Sequence, residues 1–306
     1  MLRYLIPLLP LIHKVTAREP DHVRGIAWFG LETEHRNLMC TWTHDIPWNL
    51  KKIESLGFNT VRIPFSHDYI TSADWKVLDE LFHHVENTNL SLVLDYHRID
   101  DTHQSPKPWI EGKLDFDGFL RDWEIVLDRY GKHQRLVGID IWNEYQSDNY
   151  VEWNNIARQI VSHIDSKYSQ QNLTYYVQGT NWAGNIHFMN LSDLACADRI
   201  RYTIHKYWFS DTEPLEEHWD YSFGLIDHDS AHINVGEWGY ISDKPKEIDW
   251  AVRFMYYLKN KKIHNSFFWT WSFNSGDTGG ILLPDCESVD CKKIYLLKQY
   301  WNVSHV

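Results

Sequence analysis

Two glutamates, Glu144 and Glu237, stand in local sequences that suggest acid–base chemistry. Each follows a short apolar run and has a tryptophan close by, in Trp142-Asn143-Glu144 and in Gly236-Glu237-Trp238. Two carboxyl groups that face each other can cleave a glycosidic bond, one as general acid and the other as nucleophile or general base. The alternative is that each is a surface carboxylate or an ion-pair partner, and its place in the fold must decide.

Polar residues that end other apolar runs can support the same reaction. Arg62 can keep a neighbouring carboxylate ionised, at the reacting centre or within a core ion pair. Asn143 can reach a sugar hydroxyl whose hydrogen bonds strengthen in the transition state. Tyr207 can donate a hydrogen bond to the nucleophile. His97 and His205 can bond sugar hydroxyls or the two carboxylates.

Aromatic residues make up 15% of the chain, with 16 Trp and 17 Tyr. Buried Trp and Tyr need a partner for their polar atom, so this number exceeds the needs of a core. We expect Trp271 to offer a ring face to the reacting sugar. Trp28 and Trp182 are candidates for neighbouring subsites, with packing in an aromatic-rich core as the alternative.

An alternation of strands and helices is expected to bring these residues together. Short apolar, β-branched runs predict eight strands, at Val23–Trp28, Thr60–Pro64, Ser91–Tyr96, Val137–Trp142, Thr174–Gln178, Arg201–His205, His232–Gly236 and Ser266–Thr270. Helical spacing predicts helices between them, at Pro47–Leu56, Ala73–Glu86, Phe116–Tyr130, Val151–Tyr168, Lys246–Lys261 and Cys291–Trp301. The pattern predicts an α/β fold, a (β/α)8 TIM barrel that forms a single domain.

In such a barrel the carboxyl ends of the strands meet at one face, where catalytic groups gather. Glu144 would end strand four and Glu237 strand seven, so the two carboxylates would face each other across the mouth. A doubly wound open sheet is the alternative fold. It normally has a Gly-rich turn for phosphate after its first strand, and the segment after Trp28 has no such pattern.

The first 17 residues have the features of a secretory signal peptide. Arg3 precedes an apolar run, Tyr4–Ile12, and Val15-Thr16-Ala17 has the form of a cleavage site. The nine residues of that run are too few to span a bilayer. We expect residues 1–17 to be a signal peptide, residues 18–306 to form the catalytic domain, and the protein to be secreted. An apolar arm packed under the barrel is the alternative.

Sequons and cysteines agree with an extracellular protein. Four Asn-x-Ser/Thr sequons are candidate glycosylation sites, at Asn89, Asn172, Asn190 and Asn302. The four cysteines allow three pairings. Cys286 and Cys291 lie in one short polar loop, so we predict a disulfide between them, which leaves Cys40 to pair with Cys196.

The charge and the metal-ligating residues exclude several classes of partner. A formal charge of −12 argues against nucleic acid and against anionic membranes, and does not disfavour a neutral polysaccharide. The cysteine spacing matches no zinc site. The stretch from Asp95 to His103 contains several Asp and His residues but no helical i, i+4 histidine pair, so we expect a solvated loop and no metal.

Taken together, the strand ends resemble glycoside hydrolase family 5, the cellulase family of retaining barrel enzymes. The matching stretches are Leu56–Pro64, Leu94–Arg98, Trp142–Glu144, His205–Tyr207, Gly236–Gly239 and Trp271–Gly280, and Gly25–Gly30 is similar to the family's first strand. The resemblance implies an endo-acting β-1,4-glucanase that needs no cofactor. It places the active site at Arg62, His97, Asn143, Glu144, His205, Tyr207, Glu237 and Trp271.

Departures from the family pattern bear on the substrate. The family usually has proline after the acid/base glutamate, where this chain has Tyr145, and the loops after Phe65 and around Trp182 are short for the cellulase branch. Mannan and mixed-linkage glucan are therefore alternative substrates, and a catalytically weakened glycan-binding barrel is an alternative function. The partner expected is a poly- or oligosaccharide, and the protein is expected to be a monomer.

Overall fold

The chain folds into a closed barrel of eight parallel strands that follow one another in chain order. The computed structural model describes residues 18–224 and 229–301. Within these ranges the strands are β1 (Arg24–Ala27), β2 (Thr60–Ser66), β3 (Ser91–Arg98), β4 (Leu136–Asp140), β5 (Thr174–Gln178), β6 (Ile200–Tyr207), β7 (Ile233–Gly239) and β8 (Asn265–Phe268). β1 pairs with β8 and closes the ring. The predicted TIM barrel is confirmed, and every predicted strand overlaps an observed one.

Helices lie between the strands. In the described ranges they are α1 (Ile46–Ser55), α2 (His67–Thr71), α3 (Lys76–Val85), α4 (Phe116–Tyr130), α5 (Tyr150–Tyr168), the single turn α6 (Thr180–Ala183), α7 (Leu215–Trp219), α8 (Pro245–Asn260) and α9 (Cys291–Trp301). α3 shows the local cause. Leu78, Leu81, Phe82 and Val85 recur at three- and four-residue intervals and are all buried, so one face of the helix packs inward. Asp115 caps the N-terminus of α4, because its side chain accepts a hydrogen bond from the N–H of Gly118 in the first turn.

The strands are covered on both faces, which is why they appear in the sequence as nearly continuous apolar runs. All seven residues of β2 and all seven of β7 are buried. Polar side chains inside these strands, such as Arg62 and Glu237, are therefore enclosed by the barrel and must pair with one another. The register between β6 and β7 shifts between Ile204 and His205, and the shift sets His205 opposite Glu237.

The predicted disulfides are wrong. The bond joins Cys40 to Cys286, with their Cα atoms 5.4 Å apart, while Cys196 and Cys291 are free thiols. The cause is barrel closure: because β1 pairs with β8, the loops that follow these two strands lie side by side. Closeness in sequence favoured Cys291 as a partner, but it begins α9 and is exposed, whereas Cys286 is buried.

Two further sequence predictions concern segments at the chain ends. The predicted signal peptide, residues 1–17, and the sequon at Asn302 lie outside the described residues. The other three sequon asparagines, Asn89, Asn172 and Asn190, are exposed. Between residues 18 and 301, the described helices include none with the length and apolar character required to cross a membrane.

The disulfide yields a stability prediction. Cys40→Ser is expected to lower the melting temperature under non-reducing conditions, because the bond joins residues 246 positions apart and so restricts the unfolded chain. The expected loss is about 2–4 kcal/mol. Calorimetry of Cys40→Ser beside Cys291→Ser measures it, and the second variant is expected to melt as the parent does. The opposite ranking would support the Cys286–Cys291 pairing and contradict the bond described here.

Candidate active site

The two glutamates meet at the mouth of the barrel. Glu144 follows the end of β4, and Glu237 lies in β7. One carboxylate oxygen of each, together with a ring nitrogen of His205, lie within 4.8 Å of one another. The side chain of Glu144 is 21% exposed and that of Glu237 is 5% exposed, so the pair lies at the inner end of a cleft open to solvent.

Arg62 occupies the floor of this site and is fully buried. Its guanidinium donates to Glu237 Oε1 at 2.6 Å, to Asp140 Oδ2 at 3.0 Å and to Asn143 Oδ1 at 2.9 Å, and it lies 3.0 Å from Asp95 Oδ2. One cation thus faces three carboxylates. Burial raises the pKa of Asp95 and of Asp140 above the ordinary value for aspartate, while the charge of Arg62 opposes that rise.

Glu237 has two donors on its two oxygens. Arg62 binds Oε1, and the hydroxyl of Tyr207 donates to Oε2 at 2.8 Å. Burial, and then the charge of Glu237, hold the pKa of Tyr207 well above its usual value, so the phenol keeps its proton and remains a donor. Both carboxylate oxygens of Glu237 therefore accept a hydrogen bond, and the bond from Arg62 is charge-assisted.

Glu144 has a different environment. Burial raises the pKa of its carboxyl from 4.5 to about 7, and the charge of Asp277 adds to the rise, against the opposing effects of His97 and Arg62. Its neighbour His205 approaches Oε1 through Nδ1 at 2.9 Å. Burial lowers the pKa of His205 to about 3, so this imidazole is neutral and adds no positive charge beside Glu144. Glu144 can therefore hold a proton near neutral pH.

The backbone of Glu144 is held by the next strand. Its φ is +52°, a left-handed conformation that non-glycine residues rarely adopt. The N–H of Glu144 donates to Oε1 of Gln178, at the end of β5, over 2.7 Å. The side-chain amide of Gln178 in turn donates to Asp140 and Asn143. Gln178 is a site residue that the sequence reasoning missed, although it ends a predicted strand.

Tyr145 does not displace Glu144. Its ring is buried and stacks on Trp153 in α5, with ring centroids 4.7 Å apart and planes 10° from parallel. The indole N–H of Trp153 donates to the carbonyl of Gln178. The stack therefore packs against the end of β5, where Gln178 binds the backbone of Glu144. The residue that departs from the family pattern thus packs into the helix layer and leaves the carboxyl group within reach of Glu237.

His97 and Asn143 complete the site. His97 Nδ1 lies 2.6 Å from Asp95 Oδ2, and Asn143 Nδ2 lies 3.4 Å from His97 Nε2. Burial lowers the pKa of His97 to about 4, so the ring is neutral. Arg62 and Gln178 both donate to the amide oxygen of Asn143, and its NH2 group lies against His97.

The predicted roles of Trp271 and Trp28 as sugar platforms are wrong. Both side chains are fully buried: Trp271 Nε1 donates to Asn49 at 2.9 Å, and Trp28 Nε1 donates to the carbonyl of Met39 at 2.8 Å. Each indole has found its partner inside the protein, as the core-packing alternative for Trp28 required.

Trp269 and Trp182 are the tryptophans that line the cleft. Trp269 is partly exposed and stacks on His97, with ring centroids 5.6 Å apart and planes 9° from parallel. Trp182 is 50% exposed at the cleft wall. In the sequence, Trp269 could have been found from its position directly after β8, at the end of a strand. By Trp271 the chain has turned, and the N–H of Trp271 donates to the carbonyl of Ala27.

The cleft has a volume of about 700 Å³. Besides the two glutamates, both histidines, Tyr207 and the two tryptophans, its walls include residues that were not predicted to belong to the site. These are Gln104, Asn181, Gly184, Asn185, Lys206, Phe209, Ser210, His218, Tyr221, Ser222 and Asp277. Most lie on the loops after β5 and β6, so these two loops form much of the cleft wall.

Two groups of side chains in the described ranges have metal-ligating atoms close together. The first is Glu144, His205 and Glu237, the pair of carboxylates with its histidine. The second is Asp68, in the first turn of α2, with Asp100 and Asp101 on the loop after β3. Lys113 forms ion pairs with Asp68 and Asp100, and Arg36 with Asp101, so cationic side chains already balance this second group.

A parallel barrel with two facing carboxylates in an aromatic-lined cleft is the architecture of a glycoside hydrolase. Residues 21–275 match the family model for cellulase, glycosyl hydrolase family 5. The chain therefore belongs to that family, as the sequence motifs indicated.

Curated relatives cover most of the chain. An endoglucanase of Paenibacillus polymyxa is 25% identical over 313 residues, which span 85% of this chain and 78% of the relative. The major extracellular endoglucanase of Xanthomonas campestris is 27% identical over 336 residues, which span 92% of this chain and 68% of the relative. The solved catalytic domain of the Xanthomonas campestris major endoglucanase superposes with a TM-score of 0.82 at 23% identity, covering 92% of this chain and 95% of the other. A hyperthermophilic endocellulase of Pyrococcus horikoshii superposes with a TM-score of 0.81 at 23% identity, covering 92% of this chain and 92% of the other.

The raised pKa of Glu144 has a cost that can be measured. Glutamate in the unfolded chain ionises near 4.5, whereas folded Glu144 ionises near 7, so folding is penalised increasingly as pH rises between these values. Above pH 7 the penalty reaches about 3 kcal/mol at most. Glu144→Gln is therefore expected to raise the melting temperature by a few degrees at pH 8 and to leave it unchanged at pH 4.

Scanning calorimetry at both pH values tests this expectation. Glu111→Gln, which neutralises an exposed carboxylate on a loop, is the matched control and is expected to change neither melting temperature. An equal change for Glu144→Gln at pH 4 and pH 8 would contradict the link between burial of the charge and stability.

Proposed function

We propose that this chain is a retaining, endo-acting glycoside hydrolase that cleaves β-1,4-glucan, with Glu237 as nucleophile and Glu144 as general acid/base. The observation that carries the proposal is the approach of the two carboxylates to within 4.8 Å at the mouth of the barrel. Retaining enzymes hold their carboxyl groups about 5–5.5 Å apart, whereas inverting enzymes leave room for a water molecule between carboxylate and sugar.

The first step uses the different environments of the two groups. Ionised Glu237, bound by Arg62 and Tyr207, attacks the anomeric carbon and forms a glycosyl ester. Glu144 gives its proton to the leaving glycosidic oxygen, which departs as a hydroxyl group. The pKa of about 7 keeps that proton available near neutral pH.

The second step returns both groups to their starting states. Glycosylation removes the negative charge of Glu237, so the proton affinity of neighbouring Glu144 falls and its carboxylate can accept a proton from water. That water attacks the anomeric carbon and releases Glu237. Asn143 and His97 are proposed to bind hydroxyls of the reacting sugar, and Trp269 to stack under it.

The substrate is proposed from the relatives and from the cleft. The relatives above are endoglucanases by name, and one neighbouring structure of the Pyrococcus horikoshii enzyme, at a TM-score of 0.79, is a complex with cellotetraose. Asn274–Gly280 is most similar to the cellulase branch. Mannan and mixed-linkage glucan remain alternative substrates. The glycan-binding alternative rested on Tyr145 and on the short loops, and the packing of Tyr145 leaves Glu144 within reach of Glu237.

We also propose that the protein is exported and acts as a monomer. The Xanthomonas campestris relative is described as extracellular. A disulfide between distant loops and exposed asparagines at Asn89, Asn172 and Asn190 suit an oxidising compartment in which N-glycans can be added.

Azide distinguishes the two carboxylates. Glu237→Ala is expected to lose at least about 10³-fold in hydrolysis of an aryl β-cellobioside, because the nucleophile is gone. Azide should enter the vacated space and give the inverted α-glycosyl azide. Glu144→Ala, assayed with an activated dinitrophenyl leaving group, should instead accumulate the glycosyl-enzyme and give the retained β-azide. Product anomers are read by NMR.

The assignment fails if Glu237→Ala turns over normally, or if both variants give the same anomer. Exchange of the two outcomes between the variants would reverse the roles of Glu144 and Glu237.

A panel of soluble polysaccharides tests the substrate. On hydroxyethylcellulose we expect viscosity to fall well before reducing ends accumulate, because an open cleft admits internal segments of a chain. Mixed-linkage glucan and mannan are measured in parallel, and oligosaccharides longer than the substrate would reveal transglycosylation. Faster cleavage of mannan than of any glucan would contradict the proposed substrate, and release of reducing ends without loss of viscosity would contradict endo action.

A further inference from the structure

Exposed aromatic rings continue the cleft onto the outer surface. Tyr221 lines the cleft and is 56% exposed. Its ring stacks on His187, with centroids 5.1 Å apart; His187 contacts Phe188 at 4.5 Å, and Phe188 contacts Tyr150 at 4.7 Å. We call Tyr221, His187, Phe188 and Tyr150 the aromatic strip. It runs from the cleft rim to the start of α5.

The strip is held in place by hydrogen bonds. His187 Nδ1 lies 2.9 Å from the carbonyl of Tyr221, and the N–H of His187 donates to Asn185 Oδ1 at 2.7 Å. The amide of Asn154, in α5, donates to the carbonyl of Phe188 at 2.8 Å. The half-exposed rings of Phe188 (49%) and Tyr150 (42%) are thus attached to a fixed backbone.

The strip lies on the side of the cleft that carries Glu144. The N–H of Trp182 donates to the carbonyl of Tyr145 at 3.0 Å, and the N–H of Asn181 donates to the carbonyl of Ser147 at 2.9 Å. The segment leading to the strip therefore packs on the residues that directly follow Glu144. Because the general acid protonates the leaving oxygen, the leaving part of a substrate chain extends over this side.

From this geometry we propose that the aromatic strip is a binding surface for the leaving-group end of a long β-glucan chain, beyond the cleft itself. The proposal rests on the proposed glycosidase function and adds that substrate length is recognised outside the cleft. Sugar rings present apolar C–H faces that pack on aromatic rings, while their hydroxyls remain in water. Exposed apolar surface that is continuous with a binding cleft is typical of an extension of that site.

The strip does not touch the reacting bond, so it should act on binding alone. The double variant Phe188→Ala/Tyr150→Ala is expected to raise KM for hydroxyethylcellulose by about tenfold and to leave kcat unchanged. A tenfold change corresponds to the binding contribution of one to two stacked rings. Activity on an aryl β-cellobioside, which is too short to reach the strip, should change by less than about twofold. Phe188→Trp is expected to keep the parent KM, since it retains a ring face.

Two controls keep the test specific. Tyr256→Ala removes a ring that is 64% exposed on α8, and it should leave KM for the polymer unchanged. Because the sequon asparagine Asn190 is exposed two residues after Phe188, all proteins are made in a host without N-glycosylation, so that no glycan covers the strip. Melting temperatures equal to that of the parent establish that the double variant is folded.

The outcomes separate the two proposals. If the parent cleaves neither substrate, the proposed function has failed. If the parent cleaves both, and the double variant keeps the parent KM for the polymer or loses both activities equally, the aromatic strip is not a chain-binding surface. A concentration-dependent dimer in sedimentation that the double variant abolishes would also overturn the proposal, because a second copy would then be the occupant of the strip.

Discussion

The guanidinium of Arg62 is surrounded at the barrel mouth by Asp95, Asp140 and Glu237, which come from three other strands. None of these buried charges is stable alone, and breaking such a pair by removing one partner costs about 3–5 kcal/mol. The same cation that holds β2 to β3, β4 and β7 also donates a hydrogen bond to Oε1 of Glu237. Stability of the mouth and the position of the Glu237 carboxylate therefore depend on one side chain.

Two residues of the same type have different chemistry a few ångströms apart because their neighbours differ. Glu237 accepts hydrogen bonds from a cation and a phenol, whereas the side-chain partner of Glu144 is a neutral imidazole, so burial raises the pKa of Glu144. Had His205 been protonated, its charge would have favoured the ionised form of Glu144 and removed the acid. Burial of His205 is thus part of what makes Glu144 an acid, although the histidine need not transfer a proton itself.

The sequence predicts what depends on short-range pattern and on strand order. Apolar runs located all eight strands, and the convergence of strand ends then placed Glu144, Glu237, Arg62 and Tyr207 at one mouth. This succeeds because every parallel strand delivers its carboxyl end to the same face.

The errors concern features that depend on how distant segments meet. The partner of Cys40 follows from the pairing of β1 with β8, which sequence spacing does not contain. On a continued strand, Trp269 and Trp271 would point to the same side. The chain bends directly after β8, so only one of the two rings reaches the cleft. Gln178 is visible as a strand end, but its role appears only when its amide meets the backbone of Glu144.

The bond between Cys40 and Cys286 also gives the molecule an unusual covalent topology. It encloses seven of the eight strands, and with them Arg62, Glu144 and Glu237, in one continuous covalent ring. A single peptide cleavage anywhere between these two cysteines would open the ring without releasing a fragment. A nicked molecule would thus remain one covalently connected molecule, and Arg62, Glu144 and Glu237 could not diffuse apart.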